Sequence, residues 1–208
     1  MNATTRSTGR ALGVAVRAMI VLTLLLGVGY TAAITGVGQL VLPAQADGSL
    51  VHDADGDVVG SGLIGQGFVD ADGAPLPQYF QPRPSAAGDG WDAAASSGSN
   101  LGPENPDLVA AIAERRAAVA ALEAVEEADV PPDAVTASAS GLDPHISPEY
   151  ADLQVARVAA ARGLPEKEVA ALVAGHTEGR ALGYLGEPVV DVLELNVALD
   201  KSTAELGR

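Results

Sequence analysis

The stretch that decides the architecture is Ala18–Leu42, AMIVLTLLLGVGYTAAITGVGQLVL, 25 residues without a charged side chain. At ~1.5 Å per residue a helix of this length reaches ~37 Å, enough to cross a ~30 Å hydrocarbon core with some tilt. Arg6, Arg10 and Arg17 precede it, and no acidic residue occurs before Asp47. This positive flank predicts a basic cytoplasmic segment over 1–17, a transmembrane helix over 18–42 and an extracytoplasmic domain over 43–208. A cleaved signal is the competing reading, because Ala44-Gln45-Ala46 has the small-x-small form. The apolar run exceeds the ~7–15 residues of a signal core, which favours the anchor. Membrane lipid is therefore an expected partner. One helix cannot enclose a transport path, so any transport role would be shared with other chains.

Small residues within the helix point the same way. Gly27, Thr31 and Thr35 recur every four residues, and Ala32 with Gly36 forms another such pair. Small-xxx-small spacing lets a neighbouring helix approach closely. The plainer reading is a helix that is simply rich in alanine and glycine.

The segment beyond the helix is long enough for one domain with a real core. It carries all 27 acidic residues against nine basic ones, a formal charge of −18. Such a surface repels phosphates, so nucleic acid is not an expected partner, and it gains no attraction to anionic lipid. The chain has no cysteine, which removes disulfides, thiolate metal sites and cysteine nucleophiles together.

Mixed α/β structure is expected in this domain. Ser49–Val51 and Asp57–Leu63 read as short strands around the turn Asp53-Ala54-Asp55-Gly56, and Asp70-Ala71-Asp72-Gly73 reads as a second turn. The first turn is no calcium loop, because its glycine falls at the fourth position and Ile64 stands at the twelfth. Pro75–Pro106 is rich in proline and lacks an apolar period. It holds Tyr79, Phe80 and Trp91, three of only seven aromatics, which predicts an ordered loop lying on the domain or on a partner.

Asn105-Pro106 and Ser147-Pro148 each join an N-cap acceptor to a first-turn proline, and so predict helix starts. The second of these helices should end near Gly163. Pro165 opens another, with Val169, Leu172, Val173 and His176 on one face. Val189–Leu199 alternates and predicts a closing strand.

Several segments invite chemistry. Neither Lys167 nor Lys201 follows the glycines of a phosphate-binding loop, and Asp200-Lys201-Ser202-Thr203 only faintly echoes a phosphorylated aspartate motif, so this chain is not itself an ATPase. Asp143-Pro144-His145-Ile146-Ser147 brings an acid, an imidazole and a hydroxyl together. Ser147 is already expected to cap a helix, which leaves His145 in the turn before it, bonded to backbone. In His176-Thr177-Glu178-Gly179-Arg180 the glycine is expected to end the helix and Glu178 or Arg180 to pair locally, with a nucleotide or partner contact through Arg180 as the alternative. A metal held by His52, His145 and His176 is a weaker reading. Ser96-Ser97-Gly98-Ser99-Asn100 could nest an anion or admit another protein, or serve only as a flexible linker.

Read in order, these segments resemble the KdpC family of the Kdp potassium-transporting ATPase. The matching residues are YTAAITGVGQLVLPAQADGSL (Tyr30–Leu50), GSGLIGQ (Gly60–Gln66), YFQPRPS (Tyr79–Ser85) and AASSGSNLGPENP (Ala94–Pro106). TASASGLDPHISP (Thr136–Pro148), QVARVA (Gln154–Ala159), HTEGR (His176–Arg180) and GEP before VLELNVAL (Gly186–Leu199) complete the set. Departures are a longer Val69–Gln78 stretch, Gln81 where an aromatic or histidine is common, and an Ala/Glu-biased Ala117–Glu127.

The resemblance implies a non-catalytic subunit of a high-affinity ATP-driven potassium importer. Its implied partners are the channel-like KdpA, the ATP-hydrolysing P-type KdpB and the very small KdpF. It also implies a role as a catalytic chaperone that raises the ATP affinity of KdpB, which makes ATP a cofactor to consider. Partner contacts are expected at Gly27, Thr31 and Thr35 in the helix. In the domain they are expected at Tyr79, Phe80, Arg83, Ser96, Ser97, Asn100, His145, His176, Glu178 and Arg180. The remaining alternatives are an anchored extracytoplasmic binding module and a secreted hydrolase using Asp143, His145 and Ser147.

Overall fold

The computed structural model describes residues 3–206, so the outer ends of the 1–17 and 43–208 segments lie outside the described residues. The chain forms two compact units, Met1–Ser49 and Leu50–Arg208. In the first, α1 (Ala3–Leu22) runs into a π-helical stretch (Thr23–Tyr30), then α2 (Thr31–Val41) and a short α3 (Pro43–Ala46). Thr8–Val41 is long and apolar enough to cross a membrane. Leu24, Leu25, Val28 and Ile34 are exposed on different sides of it, the all-round apolar surface of a helix meant for lipid. In the widened turn the Thr31 hydroxyl donates to the Leu26 carbonyl, five residues back.

The second unit is mixed helix and strand. β1 (Leu50–His52) and β2 (Val58–Ser61) pair as an antiparallel hairpin with Val51 opposite Gly60. Its turn is built by Asp53, whose carboxylate accepts the Asp55 and Asp57 N–H groups, and Asp70 does the same for Asp72 and Ala74. From Ser61 to Asn105 the only regular element is one 3-10 turn, Ala93–Ala95. α4 (Pro106–Glu123) starts where Asn105 accepts the Asp107 N–H, and a four-residue α5 (Pro132–Val135) follows. β3 (His145–Ile146) leads to α6 (Pro148–Arg162), which the Ser147 hydroxyl caps by accepting the Tyr150 N–H. α6 ends at Gly163, at φ +66°. α7 (Glu166–Gly175), β4 (Thr177–Glu178), β5 (Val189–Asp191) and α8 (Val192–Leu206) complete the domain. The second sheet is antiparallel, in the order β3-β5-β4.

Three expectations need correction. Val189–Leu199 is strand only to Asp191, and the rest is helix. Val192, Leu195 and Leu199 are buried at helical spacing, and the Asp191 carboxylate accepts the Glu194 N–H 2.8 Å away, which starts a helix there. Helix α7 ends at Gly175 rather than Gly179. The Thr177 hydroxyl takes the Val173 carbonyl, and Thr177-Glu178 pairs with β5 instead of adding a turn. His145 lies in β3 rather than in a turn, and its ring bonds a carboxylate rather than backbone.

The core is a layer of α6 and α7 with α8, β5 and the loop residue Phe80. Val155, Val158, Val169, Val173, Val190 and Leu195 meet there with Ile146 and Tyr150. Most of these side chains are valines, so each supplies a modest area and many are needed.

Candidate functional site

Phe80, Gln81 and Pro82 are buried although they belong to no helix or strand. The backbone there needs partners, and side-chain amides supply them. Asn196 of α8 accepts the Phe80 N–H (2.9 Å) and donates to its carbonyl (3.0 Å). Gln154 of α6 accepts the Gln81 N–H (2.7 Å) and donates to the Gln81 carbonyl (3.1 Å). Each amide thus imitates a neighbouring strand for one residue. The Gln81 side chain in turn donates to the Phe68, Leu76 and Tyr79 carbonyls and folds the preceding segment over the domain.

Two arginines fasten the rest of this loop. Arg157 bonds both Glu123 oxygens at 2.9 Å and reaches the Pro77 and Tyr79 carbonyls. Burial raises the Glu123 carboxyl above its ordinary value, against the pull of Arg157. Arg162 donates to the Gln78 carbonyl, pairs with Asp200 at 2.7 Å and lies 4.7 Å over the Tyr79 ring. Tyr79 itself donates to Asp200.

At the loop's far end, Arg83 donates to Asp143 at 2.8 Å and to the Thr136 carbonyl. Asp143 also accepts from the His145 backbone N–H (3.0 Å) and sits 3.3 Å from its ring Nδ1. Burial would push the Asp143 carboxyl up, but the His145 and Arg83 bonds outweigh it and hold it at about 2. The Asp143 bond raises the His145 ring above its usual value, helped by the charges of Asp191 and Glu178. Asp191 stands opposite His145 in the β3–β5 register, and burial pushes its carboxyl up to about 6. The Ser147 hydroxyl donates to Asp133 (2.9 Å) while capping α6.

The structure brings Arg83 and His145 together through Asp143. Ser96 and Ser97 are exposed but anchored, because the Ser96 hydroxyl and the Ser97 N–H both donate to the Ser140 carbonyl. Asn100 is exposed in a left-handed conformation, φ +54°. Between this loop and α4 lies an apolar groove of about 560 Å³ lined by Val69, Pro84, Trp91, Leu122 and Tyr150. Phe80 is fully buried, so it positions the loop from beneath. His176 bonds the Leu172 carbonyl, Glu178 is exposed on β4, and Arg180 pairs with Glu187 rather than with Glu178. Gly27 lies in the π-helical stretch, with Thr31 and Thr35 in α2. Sequence reasoning singled out none of Gln154, Asn196, Arg157 or Arg162 as site residues. The available signal was an amide set among apolar helix positions, as Asn196 is between Leu195 and Val197.

Fold and site define a class: a mixed α/β domain joined to one helix able to span a membrane, displaying a long loop locked to its core. Residues 12–201 match the family model described as "KdpC: K+-transporting ATPase, c chain". The chain is similar to the potassium-transporting ATPase KdpC subunit of Kineococcus radiotolerans, at 63% identity over 87% of this chain and 88% of that protein. It is 54% identical to the KdpC subunit of Beijerinckia indica, with 88% of this chain and 89% of that one covered. The Mycobacterium tuberculosis KdpC subunit is 53% identical over 88% of this chain and 94% of its own length. The chain belongs to the KdpC family.

Proposed function

We propose that this chain is the non-catalytic KdpC-type member of an ATP-driven potassium import complex, anchored by its single helix with the folded domain on the extracytoplasmic side. The observation that carries the reading is the family match across residues 12–201. The arginines before the apolar span support the orientation, since cytoplasmic flanks favour positive charge. In this reading KdpA conducts potassium, KdpB hydrolyses ATP, and KdpF completes the assembly with this chain. The chain's own work is to assemble and stabilise the complex, with its domain resting near the potassium entrance.

The locked loop suits that work. Tyr79, Arg83 and the Ser96–Asn100 segment, with His145, would offer a rigid surface whose ordering cost is met within the chain. Glu178 and Arg180 add polar contacts on the β4 side, and Gly27, Thr31 and Thr35 would face a neighbouring helix. Raising the ATP affinity of KdpB, the chaperone role, then acts through the assembled complex, because an outer domain cannot touch cytoplasmic ATP. The test is a C-terminal tag, mild detergent extraction from potassium-starved cells, and mass spectrometry of what co-purifies. Recovery of a P-type ATPase and a channel-like protein in fixed proportion is expected. A lone, well-folded chain would overturn the reading in favour of an anchored binding module.

A further inference from the structure

The connection from β4 to β5 carries an exposed apolar tip that the proposed assembly role does not use. Leu182 is 82% exposed, Tyr184 70% and Leu185 51%, and residues 181–186 contain no charge. The tip is rigid. The Ala181 N–H donates to the Leu185 carbonyl and the Leu185 N–H to the Ala181 carbonyl, both at 2.9 Å, while the Gly183 and Tyr184 N–H groups donate to the Arg180 and Ala181 carbonyls. Leu182 is held at φ +54°, left-handed backbone that a leucine rarely adopts, with its side chain turned to solvent. At the neck Arg180 and Glu187 neutralise one another. A turn with four of its five backbone donors bonded internally and its flanking charges paired can leave water at reduced polar cost.

The chain itself says what lies within reach. Leu42–Ser49, between the spanning helix and the domain, covers at most ~28 Å even when fully extended. Leu50, where the domain begins, lines the same cleft as His176, the residue just before β4. From Glu178 to Leu182 is a further ~13 Å at strand rise. The tip is therefore a short path, within the domain, from the point where the linker enters it. Tyrosine flanked by leucines also suits the boundary between headgroups and acyl chains.

We propose that the Ala181–Leu185 turn is a membrane-interface anchor, with Leu182, Tyr184 and Leu185 inserted into the leaflet on the domain's side of the bilayer. The proposal rests on that helix crossing a membrane and not on the importer reading. Because the chain has no cysteine, Ala181→Cys creates a single spin-label site with all three anchor residues intact. In the full chain reconstituted alone in phosphatidylcholine vesicles, the label should gain collisions with oxygen and lose collisions with a water-soluble nickel chelate. The comparison is a label at exposed Asp152→Cys on α6. Adding Leu182→Ser and Leu185→Ser should return the Ala181 label to water. Equal nickel access at both sites would overturn the proposal. So would shielding that arises only when the other Kdp proteins are present, because the tip would then be a protein contact. Neither readout depends on transport.

Discussion

Asp191 carries two opposing duties. It caps α8 through the Glu194 N–H, yet burial lifts its carboxyl to about 6, above the ~3.9 of an unfolded chain. The folded state therefore holds this proton more tightly, and the contribution to stability falls as pH rises from about 4 to about 6. Asp191→Asn keeps an acceptor for the cap and removes the buried charge. It should stabilise the protein at pH 7 by about 2 kcal/mol and have little effect below pH 4, as read by thermal unfolding in detergent. Asp143 runs the other way. Its folded value of about 2 lies below the unfolded one, so its contribution is complete above about pH 4 and disappears towards pH 2. Asp143→Asn should cost about 1–2 kcal/mol at neutral pH and little at pH 2. The amides are less forgiving. Asn196→Ala would strand the buried Phe80 N–H and carbonyl and should cost about 2–3 kcal/mol, a fall in Tm of roughly 5–10 °C. The two roles of Asn196 and Gln154 were hidden in the sequence because partners 116 and 73 residues away leave no local pattern. The caps at Asn105 and Ser147 were legible because each acts within three residues.

The elements that sequence announced are those with a local start signal or a strong period. α4, α6 and α7 begin at or next to their expected prolines, and the β1–β2 hairpin folds around its aspartate turn. The α8 error has a definite cause. In VLELNVAL the apolar residues fit both a period of two and a helical spacing, and the Asp191-x-x-Glu194 start signal settles it for helix. Among helices, α4 and α6 are joined by the buried Glu123–Arg157 pair. Arg157→Ala would leave Glu123 buried without its partner and should cost about 3–5 kcal/mol, while a paired apolar replacement of both would cost far less. Unfolding of the two variants in parallel distinguishes the outcomes. In the spanning helix the π-helical stretch was not legible, since nothing in TLLLGVGY marks five-residue bonding beyond its glycines. That widened turn places Gly27 four residues before Thr31 on a helix of altered pitch. Replacing Gly27 and Thr31 by Leu should weaken co-purification of the other Kdp proteins without lowering insertion of this chain. Unchanged recovery of the complex would remove these residues from the interface.

For the molecule as a whole, the proposed orientation is open to a direct check. A single cysteine at exposed Asp129 should react with a membrane-impermeant thiol reagent added to intact cells. Reaction only after lysis would turn the domain inward and bring direct ATP contact back into consideration. The strong acidity of the domain was plain from composition, but its distribution gives no site by itself. In the proposed assembly the surface offered to a partner is instead the proline-rich loop, held down at Phe80 and Gln81 by two facing amides. The consequence is one of timescale. Backbone outside helices and strands ordinarily trades its amide protons for deuterium in seconds, because small local openings suffice. At Phe80 and Gln81 the trade must wait for α6 and α8 to part from the loop, which is opening of the core itself. Those two amides should therefore exchange as slowly as the interior of α6. Seen by deuterium uptake, this irregular loop will belong to the last region of the protein to come apart.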